Sequence, residues 1–301
     1  MEPAISVVIV SDFELTDQKT WHDEIEVLKA FAAQDFDEPF ELIVVENSKF
    51  ANEVPAILDT IAPDTRVVFT DQTQSAHLKD YGVHQCRGDL VAVIEADCLP
   101  NPAWLRTLVQ VLREQPDVDV VSGRTWYGDQ SLYRRCLNLL HRAFDDYGRP
   151  STSIFISNNG ALYRRPVLEA FPYPEAITPF LSSRLRNRRL LEAGHRFFFH
   201  PEARMLHAIG GLPFLFDVHR NVGYSDMMQA PHGPTIGSIL RVLLQRTKRE
   251  WSDLRRLGDS YLTGFDRLLL PLFQLVGRCF ETVGMVDALL GRRSIPHSAY
   301  R

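Results

Sequence analysis

The chain has few cysteines, and none of them is spaced as a metal-binding or redox pair. Its four cysteines, Cys86, Cys98, Cys136 and Cys279, are scattered along the sequence. This spacing indicates neither a disulfide framework nor a zinc site built from CxxC pairs, and it is typical of reduced thiols in a cytoplasmic protein. The N-terminal segment lacks the basic start and long apolar core of a signal peptide, so we expect none.

The sequence also lacks an excess of positive charge and a long apolar run. The formal net charge is −5, which gives no general basis for binding nucleic acid. No stretch reaches the ~18 uninterrupted apolar residues that span a bilayer. The nearest approach, 268–276, is followed by Arg278 and Glu281. We therefore expect neither a nucleic-acid partner nor a membrane-spanning helix.

The first half of the chain alternates short apolar runs with amphipathic segments. Strands are predicted over 5–10, 40–45, 66–69, 90–94 and 118–122, with helices over 21–33, 54–61, 77–85 and 102–114. Strands separated by helices indicate an α/β fold whose mostly parallel sheet is covered by helices on both faces.

The later part of the chain changes character. A strand from His195 is predicted to stop at Pro201, and the pattern beyond Gly211 becomes almost wholly helical, with breaks near Gly264 and Pro271. We therefore expect two domains, an α/β body over 1–210 and a helical C-terminal extension over 211–301.

Two carboxylates one residue apart, Glu95 and Asp97, close the apolar run 90–94. In open α/β sheets, ligands collect outside the carboxyl ends of the strands. Ions such as Mg²⁺ use one or two carboxylates together with substrate phosphate oxygens, so the pair suits a cation that holds a phosphate. Alternatively, both carboxylates cap the helix that begins near Asn101.

Several short segments between residues 5 and 207 follow one another in a recognisable order. They are ISVVIVSDFE at 5–14, ELIVVENS at 41–48, KDYG at 79–82, RGDL at 87–90, IEAD at 94–97, NGALYRR at 159–165 and HPEARMLH at 200–207. In this order they resemble the family-2 glycosyltransferases, whose fold is the Rossmann-like GT-A type. The resemblance favours a cation site over a helix cap at Glu95 and Asp97.

The resemblance implies a nucleotide-sugar donor, a Mg²⁺ or Mn²⁺ cofactor and a set of site residues. It places Asp12, Glu14, Glu46, Lys79, Asp80, Glu95 and Asp97 at the nucleotide sugar, Asn158 and Asn159 on the acceptor side, and Asp97 and His207 at the metal. Three of these have ordinary structural alternatives: a solvated helix face for Lys79, a loop acid for Glu46 and a hydrogen-bonded histidine for His207.

The catalytic base is where the sequence departs from the family. Inverting members carry an acidic pair upstream of a helix-ending glycine, and counting back from Gly194 puts Ser182 and Ser183 there. A hydroxyl is a very poor proton acceptor near neutral pH. Glu175 is the nearest acid that could replace the pair, and four other acids are more distant candidates: Asp145, Asp146, Asp217 and Asp226.

These observations favour a metal-dependent, inverting, hexosyltransferase-type enzyme of polysaccharide biosynthesis, with a saccharide or lipid-linked acceptor. The alternative is a non-catalytic protein of the same fold that binds a nucleotide sugar or acts as a scaffold. A nucleotidyltransferase is a weaker option, because the first strand is not followed by a glycine-rich phosphate loop.

Basic and apolar residues alternate near the start of the helical extension. Six basic residues and two acidic ones lie among leucines and a tryptophan: Arg241, Arg246, Lys248, Arg249, Arg255 and Arg256 against Glu250 and Asp253. Such a segment suits the surface of an anionic bilayer, which predicts peripheral contact with the inner face of the membrane. The alternative is that these helices pack on the α/β body or form a homodimer.

Overall fold

The computed structural model describes residues 4–11, 20–157, 159–176 and 178–292. The chain packs as two compact units. The first comprises Met1–Trp126, Asp145–Pro174 and Leu185–Ala208, and the second comprises Tyr127–Phe144, Glu175–Arg184 and Ile209–Arg301.

The first unit contains a nine-stranded sheet. Its strands are β1 Ile5–Val10, β2 Phe40–Asn47, β3 Arg66–Thr70, β4 Leu90–Glu95, β5 Cys98–Pro100, β6 Val120–Trp126, β7 Ser151–Ser153, β8 Gly160–Arg164 and β9 Phe197–His207. The order is β3-β2-β1-β4-β8-β6-β9-β5, and β7 also pairs with β9. The first four strands of this order are parallel, as predicted, and β8 runs antiparallel between β4 and β6.

Helices of the first unit cover both faces of its sheet. The helices described in the two units together are α1 His22–Ala32, α2 Ile57–Ile61, α3 Ser75–His84, α4 Trp104–Glu114, α5 Leu132–Leu137, α6 Arg165–Ala170, α7 Pro179–Glu192, α8 Leu212–Met228, α9 Ile236–Tyr261 and α10 Gly264–Leu289. Because successive strand side chains point to opposite faces, Val7 and Ile9 of β1 pack with α1 and α4, while Val8 packs with α3 and α6. The predicted α/β fold is confirmed.

Two prolines that were predicted to end or break elements lie inside them. The β9 strand continues through Pro201. Its register against β6 shifts between Gly123 and Arg124, so the residues directly after His200 have no partner in β6. A proline is tolerated there because no hydrogen bond to β6 is required of it. The α10 helix continues through Pro271, whose exposed position lets water satisfy the carbonyl that loses its donor. The break predicted near Gly264 is confirmed, since α9 ends at Tyr261.

The helices of the second unit are joined by close backbone contacts and buried ion pairs. A side chain at Gly284 of α10 would collide with the backbone carbonyl of Arg220 in α8. Glu281 is buried and contacts His219, Arg246 and Arg278. Burial alone would raise the pKa of Glu281, but Arg246, a hydrogen bond with His219 and Arg278 outweigh it and hold the pKa at about 2.

Among the described helices, α10 is the one whose length and apolar composition would suffice to cross a membrane.

Candidate functional site

The acidic pair lies at the carboxyl end of the parallel strands. β4 ends at Glu95, which is in register with Val10 of the neighbouring parallel strand β1. The backbone N–H of Ala96 donates to the carbonyl of Val10 at 2.9 Å and fixes the turn that carries Asp97. The cap position of α4 is occupied by Ala103, so neither carboxylate stands there.

A short strand brings His207 to Asp97. β5 begins directly after Asp97 and pairs antiparallel with the end of β9, placing Cys98 opposite His207. The N–H of Ala208 donates to the carbonyl of Asp97 at 2.9 Å, and His207 Nε2 lies 2.9 Å from Asp97 Oδ2. Both side chains are buried. The backbone pairing of β5 with β9 is what places them side by side.

Four buried side chains form a group that could hold a metal ion. One ligand atom each from Glu95, Asp97, Cys98 and His207 lies within 4.8 Å of the others. Carboxylate oxygens and an imidazole nitrogen together suit ions such as Mn²⁺, whereas Mg²⁺ prefers oxygens alone. Cys98 was not predicted, although its position next to Asp97 was a usable signal. The donor set therefore fits a divalent cation.

Glu95 is held by two side chains from other elements. Lys79 Nζ of α3 lies 2.7 Å from Glu95 Oε1, and Asn159 Nδ2 donates to Glu95 Oε2 at 2.5 Å. Lys79 is only 2% exposed, so it does not belong to a solvated helix face. Lys79 offsets the negative charge of Glu95. The residues best placed for a metal are therefore Asp97 and His207.

Asp80, the neighbour of Lys79, lies in a half-buried polar environment. Its Oδ2 accepts the backbone N–H of Tyr173 at 2.9 Å. Burial raises the pKa of Asp80 to about 6.

A buried arginine close to Asp80 was missed from the sequence. The Arg186 guanidinium lies over the rings of Tyr163 and Tyr173, 4.9 and 4.4 Å from their centroids. Burial opposes the charge of Arg186, but the two tyrosines and Asp80 outweigh it and raise the pKa of Arg186. The sequence of α7 contains several arginines, and nothing in it distinguishes the buried Arg186 from those that are exposed.

The remaining predicted residues of the nucleotide site are placed as follows. Glu46 is buried at the end of β2, where its Oε1 accepts the N–H of Asn47 at 2.8 Å. Since β2 lies beside β1 in the sheet, Glu46 shares the carboxyl-end edge with Glu95. Three residues lie outside the described residues: Asp12, Glu14 and Asn158.

The candidate bases differ in environment. Glu175 is exposed and belongs to the second unit, as do the buried Ser182 and Ser183. Asp226 pairs with Arg184 and Arg246.

Two of the more distant acids are also buried. Asp146 lies 2.8 Å from Arg124, and Asp217 is buried in α8. Ion pairing ties both Asp146 and Asp226 to structural partners. Burial would raise the pKa of Asp226, but Arg246 and Arg184 outweigh it and lower that pKa.

The arrangement defines a class: an α/β sheet of the GT-A glycosyltransferase type with a buried acidic and histidine cluster at its carboxyl edge. The sequence profile described as Glycosyl transferase family 2 matches residues 23–171. Through this segment the chain belongs to family 2 of the glycosyltransferases, as its motifs predict. No curated protein matches the chain significantly.

Solved structures share this fold at low sequence identity. The mannosyltransferase PcManGT from Pyrobaculum calidifontis, in complex with GDP-Man and Mn²⁺, is 14% identical with a TM-score of 0.58, and the match covers 97% of this chain and 88% of that one. S. aureus TarS 1-349, in complex with UDP, is 15% identical with a TM-score of 0.51, and the match covers 96% and 83%.

Proposed function

We propose that this protein is a metal-dependent, inverting hexosyltransferase that moves a sugar from a nucleotide-sugar donor to a saccharide or lipid-linked acceptor. The observation that carries the proposal is the buried pair of Asp97 and His207, 2.9 Å apart at the carboxyl edge of a family-2 sheet. The complex of PcManGT with GDP-Man and Mn²⁺ supports the same classes of donor and ion.

Asp97 and His207 would hold Mg²⁺ or Mn²⁺, with Glu95 beside them. The bound ion would act as a Lewis acid and stabilise the charge that develops on the leaving diphosphate. Lys79, which pairs with Glu95 next to the turn that carries Asp97, would contact the donor diphosphate.

Other residues would orient the donor and the acceptor. Glu46 would accept a hydrogen bond from the nucleobase, and Asp80 would support the donor site. By the family resemblance, we assign Asp12 and Glu14 to the nucleoside, and Asn158 and Asn159 to the acceptor.

The transfer also needs a proton acceptor. As the acceptor oxygen bonds to the anomeric carbon, the bond from that carbon to the nucleoside diphosphate breaks, and the acceptor hydroxyl proton passes to a carboxylate. We assign that role to Glu175, because the hydroxyls of Ser182 and Ser183 cannot perform it. With a lipid-linked acceptor, the protein would work in the cytoplasm at the inner face of the membrane.

A second candidate function is binding of a nucleotide sugar without turnover. The observation that favours it is the presence of Ser182 and Ser183, both buried, where an inverting enzyme of the family has its acidic pair.

The binding site and the reaction can be tested separately. Titration calorimetry with Mn²⁺ and a panel of GDP- and UDP-sugars should give binding for the wild type and none for Asp97→Asn or His207→Gln. Asp89→Asn changes an exposed acid that directly precedes β4 and should bind normally.

Release of nucleoside diphosphate in the presence of an acceptor then distinguishes an enzyme from a binding protein. Binding that is equally tight with and without Mn²⁺, or is unaffected by Asp97→Asn, would contradict the metal site. Binding without release, for every donor and acceptor tried, would establish the second candidate.

A further inference from the structure

An apolar stripe runs along the exposed side of α10. Its residues recur at intervals of three or four, which keeps them on one side of a helix with about 3.6 residues per turn. They are Phe265, Leu268, Leu272, Leu275, Cys279, Val283 and Val286. Leu268 is 75% exposed, and only 28% of the most apolar window of α10 is buried. This helix is therefore not a core helix of the second unit.

A matching stripe lies on α9, and basic residues accompany it. Its apolar members are Ile236, Leu240, Leu244 and Trp251, the last 51% exposed. Arg241, Lys248 and Arg255 are exposed beside them. Hence α9 carries the mixture of tryptophan, leucine and basic side chains that binds at membrane interfaces.

Both stripes lie on the same side of the helix pair. Glu250 of α9 contacts Arg278 and Gln274 of α10, while Arg246 contacts Glu281, so the helices pack antiparallel. On each helix the exposed stripe follows a contact residue by one position: Trp251 comes after Glu250, and Leu275 comes after Gln274. Advancing by one residue turns the side-chain direction by about 100° around the helix axis. Because the two helices run in opposite directions, this turn points both stripes to the same side of the helix pair.

The surface formed by α9 and α10 is basic although the chain is acidic. The exposed charged residues beside the stripe of α9 are Arg241, Lys248 and Arg255. The other exposed basic residues, Arg256 and Arg267, pair with Asp253 and Asp259. The net charge of the whole chain is −5. This local excess of positive charge is complementary to anionic lipid headgroups, which attract each nearby basic residue.

We propose that the exposed side of α9 and α10 binds an anionic phospholipid surface, with both helices lying in the plane of the interface. A second copy of this chain is a poorer occupant, because a symmetric interface places the patch against itself and would oppose its own basic residues. Spanning by α10 is opposed by the ion pairs of Arg278 and Glu281, which tie its other side to α8 and α9. The inference does not depend on the proposed transfer reaction.

Vesicle flotation with the full chain tests the proposal. Vesicles of equal parts phosphatidylcholine and phosphatidylglycerol should bind at least about tenfold more tightly than phosphatidylcholine vesicles, since several basic residues contribute. Leu268→Glu/Leu275→Glu should lower binding by about tenfold or more. The matched control Ile57→Glu/Ile154→Glu replaces exposed apolar residues of the first unit and should bind like the wild type.

A second variant separates charge from apolar contact. Arg241→Gln/Lys248→Gln/Arg255→Gln should reduce binding to the anionic vesicles and leave little preference over neutral ones. The emission of Trp251 should shift to the blue on binding to anionic vesicles, and circular dichroism should show that every variant is folded.

Two results would overturn the proposal. One is equal flotation of the wild type and the Leu268→Glu/Leu275→Glu variant. The other is a wild type that does not float but is dimeric by light scattering and becomes monomeric in that variant, which would assign the surface to a second copy.

Discussion

Lys79 and Glu95 form a buried ion pair in which Nζ lies 2.7 Å from Oε1. The pair joins α3 to the end of β4, next to the turn that carries Asp97. Both charged groups have lost most of their contact with water, so each depends on the other for compensation. Glu95 therefore has a structural role in the site through its pair with Lys79, while Asp97 is the carboxylate adjacent to His207.

Removing one member of this pair should destabilise the fold strongly. Lys79→Met leaves Glu95 buried without its cation and should lower the free energy of unfolding by about 3–5 kcal/mol in denaturant titrations. The double variant Lys79→Met/Glu95→Gln should recover a large part of that loss. Lys29→Met, which breaks an exposed pair with Glu26, should change stability by less than about 1 kcal/mol. Equal effects of the two single changes would refute the compensation argument.

Asp80 should make stability fall as pH rises through the acid range. Its pKa is raised from 3.8 to about 6, so the folded state binds the proton more tightly than the unfolded state. The stabilisation is fully present below the unfolded pKa and is lost as pH rises toward 6. For this half-buried carboxyl we expect about 1–3 kcal/mol between pH 4 and pH 6.

Asp80→Asn should abolish this contribution while keeping an acceptor for the N–H of Tyr173. The measurement is the difference in unfolding free energy between wild type and variant across the range. A difference that stays constant with pH would show that Asp80 titrates normally.

Glu175→Gln should lower the turnover number by about 10²–10⁴-fold, because the amide cannot accept the acceptor proton. Donor affinity, measured by calorimetry, should be unchanged. The control Glu192→Gln replaces another exposed acid and should keep full turnover. A Glu175→Gln enzyme with wild-type turnover would remove Glu175 from the mechanism.

Gly284→Ala should disrupt the packing of α8 on α10. The added methyl group would collide with the carbonyl of Arg220, which is backbone and cannot turn away. We expect a loss of at least about 1–3 kcal/mol in thermal or denaturant unfolding. At Gly237 of α9 the same methyl group meets only the hydroxyl of Thr235, at an ordinary contact distance of 3.8 Å, so Gly237→Ala should change stability by less than about 1 kcal/mol. Similar stabilities of the two variants would argue against the close approach.

The sequence was most informative where local patterns decide the structure. The apolar run before Glu95 was enough to predict a buried strand with carboxylates at its end, and the helical pattern beyond Gly211 was enough to predict α9 and α10. Contacts between distant elements were harder to predict. No local signal shows that Lys79 faces inward, because the phase of α3 depends on which side packs against the sheet.

Proline illustrates the same limit. The rule that proline ends a strand gave the wrong end for β9, since the shifted pairing at Gly123 that accommodates Pro201 is a property of two strands together. Likewise, the proximity of Asn159 to Glu95 depends on the antiparallel insertion of β8 beside β4.

The pairing of β5 with the end of β9 has a consequence for the order in which this protein matures. Asp97 and His207 stand far apart in the sequence, and only the ladder that places Cys98 opposite His207 brings them together. During synthesis, Asp97 leaves the ribosome long before His207. A nascent chain that has not yet reached β9 therefore has half of the proposed metal site, and any ability to bind the ion would come only with β9, the last described strand in chain order.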